Sequence, residues 1–379
     1  MLSCSHFFDM LSDAGFHSYS GVPDSLLKHF CAYVTDHVSG KRHCITANEG
    51  AAVALAAGQY LATGEIGVVY LQNSGLGNTV NPIVSLLDTE VYSIPVLFLI
   101  GWRGEPGVKD EPQHVKQGKN MMAILDAMDI GYGILPADAE EAMRVVKEAK
   151  AYMVQKMSPY AIIVRKNTFE AYKLQNFPQN ISALKREHAI ELVLSNIESN
   201  AVVVSTTGMI SREVFECRER NRMGHHRDFL TVGSMGHASQ IALGIALSQE
   251  SRPVYCLDGD GALIMHMGSA AVLASTMPRN MTHVVLNNGA HDSVGGQPTV
   301  ASRINLVQIV LSMGYKQAAC VSSAEEVEAW INSNAVVDGP KFLEIRVALG
   351  ARADLGRPTI SPRNNKIAFM RYLREETSK

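Results

Sequence analysis

The stretch Leu257-Asp258-Gly259-Asp260-Gly261-Ala262, answered by Val284-Val285-Leu286-Asn287-Asn288, decides the fold. Each piece closes an apolar run, Val254–Leu257 in one case and His283–Leu286 in the other, and such runs read as buried strands. Between them, Ala262–Thr276 is rich in small residues and helical in character. Strand, helix and strand at this length form one right-handed βαβ unit of a parallel sheet. Both strand ends then lie side by side at the carboxyl edge, where open α/β sheets bind ligands. Glycines let the backbone approach a ligand there. The side-chain oxygens of Asp260 and Asn288 suit Mg²⁺, which keeps part of its octahedron for water and phosphate. GDG alone is a common tight turn and NN a common strand end, so the reading as a metal–diphosphate site rests on the two together.

Composition bounds the rest. A chain of 379 residues is long enough for two full cores. The net charge of −3 gives no sign of a nucleic-acid or membrane-surface partner, so the expected partner is a small-molecule substrate. The six cysteines are scattered without a CxxC pair, and Cys44 and Cys256 fall in strand-like runs, so buried thiols are expected rather than disulfides or zinc ligands. The amino terminus carries no export pattern, and the apolar run Ile94–Ile100 is too short to span a bilayer. A cytoplasmic location is expected.

Strand-like runs alternate with helical stretches throughout. In the first half they fall near His17–Val22, His43–Ala47, Ile66–Gln72, Pro95–Ile100 and Ala161–Arg165. In the second they fall near Ala201–Ser205, Phe229–Val232, Val254–Leu257, His283–Leu286, Gln317–Val321 and Lys341–Val347. Apolar residues on consecutive positions indicate strands covered on both faces. The polar stretch Lys166–Arg186 reads as a linker. The expected fold class is α/β, two doubly wound three-layer α/β/α modules with mainly parallel sheets: residues 1–170, a linker over 171–186, and residues 187–379.

Other stretches carry chemistry. Asn48-Glu49-Gly50-Ala51-Ala52 marks a strand turning into an alanine-rich helix that Gly64 stops. Glu49 in its first turn complements the helix dipole on the plainest reading. Gln72-Asn73-Ser74-Gly75-Leu76-Gly77-Asn78-Thr79 looks like a truncated dinucleotide fingerprint, but Val80 stands where the third glycine belongs, which argues against a nicotinamide cofactor. Thr206 and Thr207 end a strand before a helix, a place suited to a diphosphate. Thr231-Val232-Gly233-Ser234-Met235-Gly236-His237 reads as a glycine loop.

Taken together, GDG with NN, the NEGAA helix start, the Gln72–Thr79 turn and the GSMG turn resemble the thiamine diphosphate decarboxylase and acetolactate synthase superfamily. Over the whole chain the similarity is to the phosphonopyruvate decarboxylase family, through Ser20–Lys28, Leu99–Gly104 and Asn288–Pro298, with the sulfopyruvate decarboxylases as near relatives. The resemblance implies thiamine diphosphate and Mg²⁺ as cofactors and decarboxylation of an anionic 2-oxo acid, 3-phosphonopyruvate giving phosphonoacetaldehyde, in phosphonate biosynthesis. It implies that Glu49 hydrogen-bonds N1′ of the aminopyrimidine. It further implies that the Gly233 carbonyl takes the 4′-amino group, that Met235 is the wedge beneath the bent cofactor, and that Asp260, Asn288 and the Ala290 carbonyl hold Mg²⁺. Thr206, Thr207, Gly259, Gly261, Ala262 and Gly75 are the remaining cofactor-contact candidates. Asp24, His114 and His291 are candidate proton carriers, though Asp24 also suits an N-cap. Val294 stands where simple pyruvate decarboxylases have a glutamate, so their acid–base scheme does not transfer. Arg103, Lys109, Lys116 and Arg212 are candidates for the substrate anion. The resemblance also implies a homodimer or larger assembly with active sites between subunits.

Overall fold

The computed structural model describes residues 1–176, 182–333 and 337–375. Its strands are β1 (Tyr19–Gly21), β2 (His43–Ile45), β3 (Val68–Gln72), β4 (Leu97–Gly101), β5 (Gly131–Ile134) and β6 (Tyr160–Val164), then β7 (Val202–Ser205), β8 (Asp228–Leu230), β9 (Val254–Gly259), β10 (Met281–Asn287), β11 (Gln317–Val321) and β12 (Lys341–Arg346). They form two six-stranded sheets, ordered β2-β1-β3-β4-β6-β5 and β11-β12-β10-β9-β7-β8. Subtracting six from each label of the second sheet and reading it from the β8 edge gives 2-1-3-4-6-5, the order of the first. Every pairing within both sheets is parallel. Helices flank both, so the fold is the two-module α/β arrangement expected.

The chain divides into two compact units, Met1–Phe177 with Ser293–Pro298, and Pro178–Asp292 with Thr299–Lys379. In each unit alternate residues of the central strands enter opposite cores. Val68 and Tyr70 join one apolar cluster of the first unit and Val69 and Leu71 another. Tyr255 and Leu257 join one cluster of the second, and Val254 and Cys256 another. Burial on both faces explains the uninterrupted apolar runs.

Several expectations need correction. The stretch Ala262–Thr276 is two helices, Asp260–Met265 and Gly268–Thr276, interrupted at His266, whose backbone is non-helical. β5 was not foreseen, because Gly131-Tyr132-Gly133-Ile134 is a half-buried edge strand without an apolar run. Cys256 is buried, but Cys44 is exposed, since β2 lies at a sheet edge; all six cysteines are free thiols. Part of the expected linker, residues 177–181, lies outside the described residues. Before it, Tyr172 Oη and the amides of Gln175 and Asn176 donate to Asp36, which straps this stretch to the helix Lys28–His37. After it, Arg186 is a buried residue that opens the helix Arg186–Asn196. No helix among the described residues is long and apolar enough to cross a membrane.

Candidate active site

The helix Glu49–Thr63 leaves the sheet after β2. Asn48 caps it by accepting from the Ala51 amide at 2.9 Å, and Gly64 ends it in the left-handed conformation. Glu49 therefore sits in the first turn, yet it is only 6% exposed. Its carboxylate accepts from Asn78 Nδ2 at 2.7 Å. Burial raises the Glu49 pKa, and the Asn78 bond offsets only part of that. Two glycines make the burial possible. A Cβ on Gly75 would lie 2.3 Å from Glu49 Oε1, and one on Gly50 would lie 2.7 Å from the Asn78 carbonyl oxygen. Gly75, expected as a cofactor contact, thus makes room for the glutamate. Asn78 stands one turn further on, in the helix Leu76–Pro82, and an asparagine there carries no sequence signal until its neighbour is known.

Asp24, after β1, is fully buried and caps the turn before the helix Lys28–His37, whose own N-cap position is Leu27 and not Asp24. One oxygen accepts from the amides of Leu26 (2.9 Å) and Leu27 (3.2 Å), and the other accepts from Gln72 Nε2 at 2.7 Å. Ser74 Oγ donates to Gln72 Oε1 at 2.8 Å and extends the chain outward. Burial raises the Asp24 pKa, with the Gln72, Leu26 and Leu27 donors pulling it back.

Arg103, after β4, forks onto Asp110, with Nε to Oδ2 at 2.8 Å, and its Nη1 donates to Ser25 Oγ at 2.8 Å. Against its burial, the Arg103 fork and the amides of Glu111 and Gly104 hold the Asp110 carboxyl well below the usual range. Arg212 donates to the carbonyl oxygens of Gly356 and Leu355. Two of the four cations expected to meet the substrate anion are therefore bonded within the chain. Lys109 and Lys116 are exposed. His114 lies in the first turn of the helix Pro112–Ala127, which Pro112 starts.

In the second unit the strand register brings the expected metal ligands to one edge. Ser205 pairs with Leu257, and Gly259 with Leu286, so Thr206, Asp260 and Asn288 leave adjoining strand ends. β7 and β9 are the neighbours at which the strand order reverses, the switch point where such sheets bind ligands. Asp260 is 3% exposed and accepts from Thr299 Oγ1. Burial pushes its carboxyl up to about 6, against the opposing pull of Thr299, the backbone and Arg186. Asn288 is buried, and its Oδ1 accepts from the amide of the buried Ala290 at 3.0 Å. Thr206 Oγ1 is buried without a hydrogen-bond partner among the described residues. Thr207 is half-buried just before the helix Met209–Arg220. Hard oxygens on Asp260 and Asn288 beside an orphaned buried hydroxyl fit a metal–diphosphate group.

The Thr231–His237 turn holds two left-handed residues, Ser234 (φ 53°) and Gly236 (φ 83°). A Cβ on Gly236 would lie 2.6 Å from the His266 ring. Gly233 and Met235 are half-buried. Gly261 joins Met235 to His291: a Cβ there would lie 3.2 Å from the His291 ring and 3.5 Å from the Met235 methyl. Burial pushes His291 down to about 4, which keeps its imidazole neutral at physiological pH. Gly259 ends β9, and Ala262 is buried in the following helix. A residue missed from the sequence is Gln297, which is 0% exposed with neither amide atom bonded to any described residue. Such an amide costs on the order of 1–3 kcal/mol unless a ligand pairs it.

Residues 4–129 match the family model of the thiamine pyrophosphate enzyme N-terminal TPP binding domain, and residues 206–345 match that of the C-terminal TPP binding domain. The chain belongs to the thiamine pyrophosphate enzymes. It is 32% identical to a phosphonopyruvate decarboxylase of Streptomyces viridochromogenes, over 93% of this chain and 90% of that protein. It is 32% identical to one of Streptomyces hygroscopicus, over 99% of this chain and 95% of that protein. A sulfopyruvate decarboxylase of Methanosarcina acetivorans is 28% identical over 73% of this chain and 74% of its own length. As a thiamine pyrophosphate enzyme the chain uses thiamine diphosphate (the same compound) with Mg²⁺. Glu49 and Asn78 fall in the first matched range, and Thr206, Asp260, Asn288 and Thr299 fall in the second.

Proposed function

We propose that this chain is a carboxy-lyase that converts 3-phosphonopyruvate to phosphonoacetaldehyde and CO₂, as a step of phosphonate biosynthesis. The observation that carries the substrate is the match with two phosphonopyruvate decarboxylases across at least nine-tenths of both partners in each case. The sulfopyruvate decarboxylase similarity is lower in identity and covers less of the chain, which places that reading second.

When bound, thiamine diphosphate supplies the electron sink that a 2-oxo acid lacks as it loses CO₂. The chain's own residues prepare that step. Glu49, buried and biased toward its acid form, holds a proton for N1′ of the aminopyrimidine, and Asn78 fixes the carboxyl that carries it. Asp260 and Asn288 hold Mg²⁺ through side-chain oxygens, joined by the Ala290 carbonyl. Thr206 and Thr207 offer hydroxyls and amides to the diphosphate, with Gly259, Gly261 and Ala262 letting the backbone come close. The Gly233 carbonyl and Met235 orient the aminopyrimidine. His291, neutral, and Asp24, buried with a raised pKa, are the proton carriers for aldehyde release, with His114 as a further candidate. Lys109, Lys116 and the unpaired amide of Gln297 serve the phosphonate.

The family resemblance implies a homodimer or larger assembly, with active sites between subunits. Free thiols throughout suit the reducing cytoplasm. The substrate reading is tested by comparing kcat/KM for phosphonopyruvate, sulfopyruvate and pyruvate. Phosphonopyruvate is expected to be favoured, and a higher value for sulfopyruvate would reassign the enzyme.

A further inference from the structure

Arg186 is 5% exposed at the start of its helix, a rare place for a guanidinium unless it is paired. Its Nε and Nη2 fork onto Glu213 at 2.8 and 2.9 Å, and its Nη1 donates to Asp292 Oδ2 at 3.1 Å. The same Asp292 oxygen accepts from the Gly350 amide at 3.0 Å and faces Asn288 Nδ2 at 3.4 Å. One guanidinium therefore ties two carboxylates, and the second of them touches the asparagine expected to hold Mg²⁺. Arg186 precedes the matched range 206–345, and beyond its electrostatic pull on Asp260 it has no part in the chemistry described above.

A carboxamide is nearly symmetric in shape, so its neighbours decide which end faces which way. Asp292, as a carboxylate, only accepts and therefore selects the NH₂ end of Asn288. That choice turns Oδ1 to the opposite side, where the Ala290 amide donates to it at 3.0 Å. A hard cation takes the oxygen and rejects the amine. Arg186 keeps Asp292 in place, and its planar fork spans Glu213 and Asp292 in a way an ammonium point charge does not reproduce.

We propose that Arg186 and Asp292 are positioning residues that hold the Asn288 amide oxygen-first for Mg²⁺. The inference rests on the metal reading given above. A purely structural ion pair would affect folding and leave metal affinity alone, so affinity is the quantity to measure.

The test is a titration of the apoprotein with Mn²⁺, followed by electron paramagnetic resonance, in the presence of thiamine diphosphate and without substrate. Asp292→Asn, which can present either amide end to Asn288, is expected to raise the Mn²⁺ Kd about tenfold, the usual size for loss of a group that orients a ligand. The Mg²⁺ needed for half-maximal turnover should rise by a similar factor, and excess Mg²⁺ should restore rate. Wild-type affinity in folded D292N overturns the proposal. Should D292N not fold, Arg186→Lys keeps a cation beside Glu213, and wild-type Mn²⁺ affinity in that variant overturns it equally. Wild-type protein that binds no Mn²⁺ overturns the metal reading and this inference together, which separates the two failures.

Discussion

Glu49 combines two properties that oppose one another in stability. Its folded pKa lies above the ordinary carboxylate value because it is buried. The native state therefore binds its proton more tightly than the unfolded chain does. Wild-type stability must then fall as pH rises from the ordinary carboxylate range through the raised folded value, and level off above it. Glu49→Gln removes this dependence while keeping the shape. The variant is expected to lose about 10²–10⁴-fold in turnover, the range for a proton-transfer group. Its apoprotein is expected to unfold at a higher temperature than wild type, by a margin that widens with pH across that window. Calorimetry across pH checks it; a margin that shrinks with pH would contradict the burial argument. Gln297 makes a parallel case. Gln297→Leu removes an unpaired buried amide, so the apoprotein should gain about 1 kcal/mol while KM for the substrate rises. An unchanged KM would remove Gln297 from the substrate site. Asp260 and Asn288 are singled out by residue type and spacing, and Glu49 by the family resemblance of the NEGAA helix start. Asn78, Thr299 and Gln297 are not, since each matters through one partner or through the lack of one, and a linear chain shows neither.

At the scale of elements, legibility followed burial. Strands covered on both faces, such as β3, β4 and β10, announce themselves as apolar runs. The edge strand β5, half-buried and half glycine, does not. The break at His266 was equally silent, since small residues such as those of Ala262–Thr276 suit one helix or two. β8 illustrates what a short strand needs to stay in place. Asp228 within it is fully buried against Arg218, also fully buried, at 2.9 Å. Neither shows a sequence signal, because both read as surface charges. Removing one charge strands the other in the core, so Asp228→Asn is expected to cost about 3–5 kcal/mol in urea unfolding. Replacing both residues with apolar ones of like volume should cost much less. Equal losses would mean that the pair matters by shape and not by charge.

For the whole molecule, the alternation of strand and helix was enough to read two parallel α/β modules. That the two sheets repeat one strand order was not readable, because the halves share no visible sequence repeat and strand order depends on which crossovers the chain takes. The grouping of Ser293–Pro298 with the first unit was likewise beyond reach, since it follows from tertiary packing and not from composition. What the sequence did carry at this scale was the cofactor, through motifs spread over both modules. Cofactor-dependent carbon–carbon cleavage is accordingly the central claim. It is tested most directly by stripping the protein of metal and cofactor and following 3-phosphonopyruvate by ³¹P NMR. Conversion to phosphonoacetaldehyde is expected only when thiamine diphosphate and Mg²⁺ are both restored; conversion without them, or none with them, would contradict it.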